Sequence, residues 1–314
     1  MPRSPRPSFV SAYPTMAPTT EATTEVPVPP GIARLPVAVL FIHGMWHGAW
    51  CWNDMARYLA ERGVACFLLE LPGHGARRDA EKLTWLTLDS YAREVARAAE
   101  AVRSRLPEGT RFVLAGHSLA GAVLQRVLAW QSVPVPDALV LLAPVPPAGA
   151  AGITWGLVRG GYLPAVLCSV ARLSVYVLIA DPDRAKALLF SPPVPRERVA
   201  GYLRDGRLGH DSFRAYAGML LMLAGWRGRA RRAQARLRAA GAPVLLLTAD
   251  NDRVIPSQDA RAREAAYGTG HEHRSFPLAH DLMLDEGTQA SWRDVAEALF
   301  RWLERAGSSA AAAG

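Results

Sequence analysis

Apolar residues rich in Val, Leu, Ile and Ala recur in short unbroken runs at 37–42, 64–69, 112–115, 139–143 and 244–248. A strand covered on both faces reads this way, because neither side of its pleat meets water. Between or after the runs, the segments 51–61, 89–106, 119–131, 257–267 and 290–305 place apolar residues at helical spacing and predict helices. Strand and helix in alternation predict a mostly parallel sheet wrapped by helices.

From about 145 to 241 the alternation stops, strands disappear, and proline-rich turns separate apolar helical stretches. An inserted helical cap explains this break, with core segments 31–144 and 242–306 on either side. The first part of the cap, 153–179, is unusually apolar, so it either lines a substrate entrance or packs on the sheet edge. Residues 1–30 are rich in Pro, Ser and Thr without periodicity and predict a disordered leader, not a secretory signal, with Met16 as an alternative start. The low-complexity end, 307–314, predicts a disordered tail. The longest apolar run, 160–180, is interrupted by Pro164 and Arg172, so no membrane span is expected.

Composition narrows the picture only a little. Half of the 314 residues are hydrophobic and 20% are charged, enough apolar material for a core and against global disorder. The net charge of +8 comes almost wholly from arginine, since lysine occurs only at Lys82 and Lys186. The densest cluster, Arg227, Arg229, Arg231, Arg232, Arg236 and Arg238, predicts a solvated helix face, and no nucleic-acid partner is expected. Three widely spaced cysteines, Cys51, Cys66 and Cys168, lack metal or redox spacing and fit a reducing, cytoplasmic setting. The oligomeric state is not readable.

The chemistry is concentrated at strand ends. In Phe112-Val113-Leu114-Ala115-Gly116-His117-Ser118-Leu119-Ala120-Gly121 a strand runs directly into a helix with a serine at the turn. A serine on such a bend presents its hydroxyl above the sheet edge, while small neighbours let strand and helix approach. A serine hydroxyl becomes a nucleophile when an imidazole takes its proton and a carboxylate orients that imidazole. His280, after a short strand and before the last helix, is the best-placed base. His271 and His273 lie before or within that strand and are expected to be solvated, His74 to structure its loop, and His210 to sit in the cap. Asp250 and Asp252 both stand in the loop after 244–248 and compete as the acid. Backbone donors for a developing oxyanion are expected at Leu119, after the serine, and at Met45, after His43-Gly44. His43 then fixes the loop. Neither His-Glu-x-x-His nor clustered His and Asp appears, so no metal and no cofactor are expected.

These motifs resemble the α/β-hydrolase superfamily over about 37–303, the cap excepted. The string His43-Gly44-Met45-Trp46-His47-Gly48-Ala49-Trp50-Cys51-Trp52, with Gly116 to Gly121, is similar to the plant methylesterase and hydroxynitrile lyase branch. The resemblance implies an α/β-hydrolase fold with an inserted helical cap and the chain order serine, acid, histidine. It favours Asp252, separated only by Arg253 from Val254-Ile255-Pro256, as the acid and leaves Asp250 to hold the turn. Lyases of the branch carry Thr where this chain has Gly44 and Lys where it has Asp281, and both departures point to ester hydrolysis. The expected partner is a small ester with an apolar acyl or aromatic group, contacted by Trp46, His117, Trp155 and Tyr162. Thioesters and lactones suit the same machinery. A non-turnover sensor and a membrane-surface lipase are the alternative readings.

Overall fold

The computed structural model describes residues 22–130, 133–146, 151–221, 223–255 and 271–311. The five apolar runs become neighbouring strands: β2 (Val37–Ile42), β3 (Ala65–Leu69), β4 (Arg111–His117), β5 (Ala138–Leu142) and β6 (Val244–Ala249). With β1 (Thr23–Val26) and β7 (His271–Phe276) they form a seven-stranded sheet in the order β1-β3-β2-β4-β5-β6-β7. All pairings from β3 through β7 are parallel, and β1 alone runs antiparallel, on β3. Every residue of β2, β5 and β6 is buried, which is why their sequences do not alternate.

The sheet is covered by α1 (Asn53–Ala60), α2 (Ala80–Trp85), α3 (Leu88–Arg103), α4 (Leu119–Leu128) and, at the far end of the chain, α11 (Trp292–Ala311). Capping fixes where α3 begins: Thr87 and Ser90 exchange side-chain and backbone hydrogen bonds in a capping box. The cap contributes α5 (Ala151–Leu157), α6 (Leu163–Ala171), α7 (Pro182–Leu189), α8 (Arg196–Arg204) and α9 (Phe213–Leu221), followed by α10 (Leu223–Ala239).

Five expectations are corrected. The end of the supposed leader is structured, since Thr23–Val26 pairs with β3 from Thr23 opposite Leu69 to Val26 opposite Cys66. This edge strand is half exposed and polar, so it gave no apolar signal. The tail is helical to Ala311, because its alanines favour continuing α11. The cap ends earlier than 241: α10 packs on α4, so it belongs to the layer that covers the sheet. Its arginines are accordingly not all solvated, and Arg236 donates to the carbonyls of Leu128, Trp130 and Val133 at the end of α4. Finally, the helical run Ala151–Ala171 is long and apolar enough to cross a membrane by length and composition, although Gly161 at φ +88° kinks it. The helix expected at 257–267 lies outside the described residues.

Candidate active site

Parallel register sets the site. Ile42 lies opposite Gly116 and His117 opposite Leu142, so β2, β4 and β5 end side by side and their loops share one edge of the sheet. At that edge Ser118 takes φ 51° and ψ −112°, a conformation rare for a residue with a side chain. Hydrogen bonds over-determine it. The Ser118 N–H donates to the Leu142 carbonyl at 3.0 Å, and its own carbonyl accepts from Gly121 at 2.9 Å and Val145 at 3.0 Å. Glycine is required at 121 because an added Cβ would stand 2.5 Å from Pro144 Cβ.

The three residues singled out as nucleophile, base and acid meet here from three loops. His280 Nε2 lies 2.9 Å from Ser118 Oγ, and His280 Nδ1 lies 2.8 Å from Asp252 Oδ2. The other Asp252 oxygen accepts from the N–H groups of Val254 at 2.9 Å and Ile255 at 2.7 Å, which fixes the carboxylate plane. Asp250 instead accepts from the Ser275 hydroxyl, and its N–H donates to the Phe276 carbonyl, so it closes the turn beside β7. Ser118, Asp252 and His280 are all buried.

Five buried histidines surround this edge, and their partners fix their protonation. His43 donates from Nδ1 to the Gly44 carbonyl and accepts the Leu71 N–H at Nε2, the pattern of a neutral ring; burial, against the pull of the nearby Glu70 carboxylate, holds its pKa below the usual 6.5. His117 donates to the His280 carbonyl at 3.1 Å, while its Nδ1 has no partner among the described residues. Burial and the neighbouring His280 and His47 push its pKa well down. His47 and His74 are different. His47 Nδ1 faces the Met45 carbonyl at 2.8 Å and Nε2 faces Asp281 Oδ2 at 3.0 Å; His74 Nδ1 faces the Pro72 carbonyl at 3.0 Å and Nε2 faces Asp211 Oδ2 at 3.0 Å. Acceptors on both sides require two N–H groups. Burial lowers both pKa values, but the facing carboxylates outweigh it and hold each ring above its ordinary range, as imidazolium.

The loop after β2, which carries the expected donor Met45, passes close to Ser118. A Cβ at Gly44 would lie 2.7 Å from His117 Nδ1 and 3.1 Å from Ser118 Cβ, so glycine is what lets this loop approach the serine. Leu119, the other expected donor, opens α4 directly after Ser118. Trp46 has φ +68°, its N–H donates to Asp211 Oδ2 at 3.0 Å, and its carbonyl accepts from Gly209 at 2.8 Å. Asp211 also accepts from the Tyr91 hydroxyl and the Ser212 N–H. One cap carboxylate thereby holds the loop after β2, and sequence reasoning missed it. It also missed the His47–Asp281 pair, for which the repeated His-Gly at 43–44 and 47–48 was the available signal.

Of the residues expected to contact substrate, Trp46 is buried at this edge with an indole N–H that has no partner among the described residues. His117 is corrected: its one donor goes to the His280 carbonyl, so it braces that loop. Trp155 is corrected as well, since it is 62% exposed and faces solvent. Tyr162 is half-buried against the core. Leu163, Leu167, Val170 and Leu173 also face outward, whereas Ile153, Leu157, Ala165, Val175, Leu178 and Ile179 point in, so the apolar stretch is split between two faces. A cavity of about 600 Å³ opens in the cap, lined in part by Pro164, Cys168, Arg172, Tyr176 and His210, and no residue of the Ser118, Asp252 and His280 constellation lines it. Tyr176 and His210 stack there at 4.2 Å. His273, expected to be solvated, hydrogen-bonds Thr248 at 2.8 Å within the sheet. His117, His280 and Asp281 bring potential ligand atoms within 4.8 Å of one another, but both His280 nitrogens are engaged by Ser118 and Asp252, which does not suit a metal ion.

A model of the alpha/beta hydrolase family matches residues 39–298. A probable esterase of rice (Oryza sativa subsp. indica), PIR7A, is 37% identical over 113 residues, which are 35% of this chain and 40% of that protein. A pheophorbidase of Raphanus sativus is 32% identical over 92 residues, 29% of this chain and 33% of the relative. The chain therefore aligns with less than half the length of these curated relatives. Among solved structures, a monoacylglycerol lipase from Paleococcus ferrophilus superposes with a TM-score of 0.60 at 18% identity, covering 90% of this chain and 98% of that one. An extracellular alpha/beta-hydrolase from a Paenibacillus species gives 0.61 at 16% identity, over 87% and 99% of the two chains. At such identities the structures speak for the fold.

Proposed function

The chain belongs to the alpha/beta hydrolase family, and on that premise we propose that it is a serine hydrolase cleaving carboxylic esters through an acyl-enzyme on Ser118. The observation that carries this reading is the unbroken relay from Ser118 Oγ through His280 to Asp252, at 2.9 and 2.8 Å, on an elbow held at positive φ. Esterase names among the partial relatives support the substrate class.

The steps follow from the geometry. His280 Nε2 takes the proton of Ser118 Oγ as the oxygen attacks the ester carbonyl, and Asp252 stabilises the imidazolium through Nδ1–H. The carbonyl oxygen becomes an oxyanion, received by the N–H groups of Leu119 and Met45. On collapse His280 returns its proton to the leaving alkoxide, and an alcohol departs. Water then repeats the sequence on the acyl-enzyme and releases the acid. On this reading the substrate is a small ester with an apolar acyl or aromatic group. Thioesters and lactones are processed by the same steps, and none requires a cofactor.

The test is hydrolysis of a p-nitrophenyl ester series, acetate to palmitate, by wild type and Ser118→Ala. Loss of the nucleophile is expected to remove a factor of about 10⁴ or more, because serine, base and oxyanion donors act as a unit. Equal rates in the two proteins would sink the reading. A second reading, a lipase working at a membrane surface, draws on the exposed face of Trp155, Leu163, Leu167 and Val170, with Arg159 in the turn between α5 and α6 and Arg172 just after α6. It expects salt-sensitive co-sedimentation with phosphatidylglycerol vesicles, and vesicles that leave the protein in the supernatant at low salt would dismiss it.

A further inference from the structure

Two of the buried charges described above lie beside the relay without being part of it. Asp281, directly after His280, is fully buried, and so is His47 on the oxyanion loop. Their 3.0 Å contact joins residues 234 positions apart. Through its other nitrogen His47 holds the Met45 carbonyl, so one imidazolium links the oxyanion loop to the loop that carries the base. From the other direction Asp281 donates its backbone N–H to the Leu189 carbonyl at the end of α7, which anchors the main chain that carries the carboxylate.

The couple has a direction. Its positive end is one hydrogen bond from Met45, where the oxyanion is to form, and its negative end lies within 4.8 Å of a ring nitrogen of His280, where the imidazolium is to form. Acyl transfer separates charge in the same sense: negative at the oxyanion loop and positive at His280. A fixed dipole placed opposite to a developing one lowers its energy, and does so most where water is excluded. We propose that the Asp281–His47 couple is a positioning device for acyl transfer, holding the oxyanion loop against the His280 loop and presenting charges complementary to those of the transition state. The inference rests on the serine hydrolase reading.

Other groups share this field. Asp281 faces His47 from the oxyanion loop, His117 from the elbow at 3.9 Å, and His280 from its own loop, while Cys51 and Tyr202 also feel its charge. His47 feels Asp211 besides Asp281. Since His117 is neutral, Asp281 and His47 are the charged pair nearest the relay on this side.

Asp281→Asn separates charge from hydrogen bonding. The amide can donate to His47 Nε2, which then becomes a neutral ring still bound to the Met45 carbonyl, so the contacts survive and the dipole vanishes. The expected result is kcat lower by about ten-fold with KM within about two-fold, since charge complementary to the transition state acts on kcat. The acidic limb of kcat/KM is expected to move to lower pH, because the His280 imidazolium loses a neighbouring carboxylate. A fluorophosphonate titration counts competent Ser118. Rate lost only in proportion to titratable sites, with the limb unmoved, overturns the proposal, as does an unchanged kcat. Ser118→Ala, assayed alongside, separates the two claims: an inactive Ser118→Ala with a normal Asp281→Asn removes only the couple, whereas an active Ser118→Ala removes the hydrolase reading and the couple with it. If Asp281→Asn does not fold, the wild type still decides. In histidine ¹⁵N spectra at pH 7.5, where an unperturbed ring is about 10% charged, His47 is expected to be doubly protonated, and a neutral His47 overturns the proposal.

Discussion

The loop edge of the sheet and the outer face of the cap obey opposite rules. At the edge, polar side chains are buried and paired: Ser118, His280 and Asp252 form one relay, and His47 with Asp281 and His74 with Asp211 form two further pairs. On the cap, large apolar side chains such as Leu167 and Trp155 stand more than half exposed. Buried polar groups are costly unless every partner is present, so the first region tolerates almost no change. Exposed apolar groups have few contacts to lose. The difference locates stability at the sheet edge and leaves the cap surface with little to lose on substitution.

Substitutions should therefore grade steeply from one region to the other. The largest effect is expected for Asp252→Asn, which keeps the shape but lets His280 adopt the wrong tautomer, with kcat falling about 10⁴-fold in ester hydrolysis. Asp211→Ala is next: it strands the buried His74 cation and releases the Trp46 N–H, and denaturant melts should show a loss of about 3–5 kcal/mol. A loss under 1 kcal/mol would mean that the cap does not hold the loop after β2. Gly121→Ala, whose Cβ would press on Pro144, is expected to cost about 1–3 kcal/mol in the same measurement. Acidity gives a smaller effect, with its sign set by the histidines. His43 and His117 have folded pKa values below 6.5, so the unfolded chain binds protons the fold refuses, and stability falls as pH drops below that value. His47 and His74 have raised values, so their contribution is full below 6.5 and is lost as pH rises through the folded pKa. Melts across pH are expected to peak near pH 6.5, and a stability that climbs steadily to pH 9 would contradict the two imidazolium assignments. Smallest of all, Leu167→Ser should change stability by no more than about 0.5 kcal/mol. A large loss there would erase the contrast.

The same contrast governs what was readable beforehand. The strands β2, β3, β4, β5 and β6 announced themselves because double-sided burial leaves unbroken apolar runs, and Ser118, Asp252 and His280 because strand ends are where chemistry sits in an open parallel sheet. The edge strand Thr23–Val26 did not, since one paired side and a half-exposed face impose no apolar pattern. The partnerships of Asp211 with Trp46 and of Asp281 with His47 join residues 165 and 234 positions apart, a separation no periodicity encodes. Trp155 misled for a physical reason: apolar composition shows that a residue avoids water or meets a partner, not which. α10 was assigned to the cap because its arginines hid the side that packs on α4.

The hydrogen bonds from Gly209 and to Asp211 fix both polar atoms of the Trp46 backbone. In engineering terms the cap is not a detachable module. A graft that replaces the whole insertion by the cap of a relative also removes both anchors of the Trp46 backbone. A chimaera cut to retain residues 206–216 would keep those anchors while exchanging the rest of the cap.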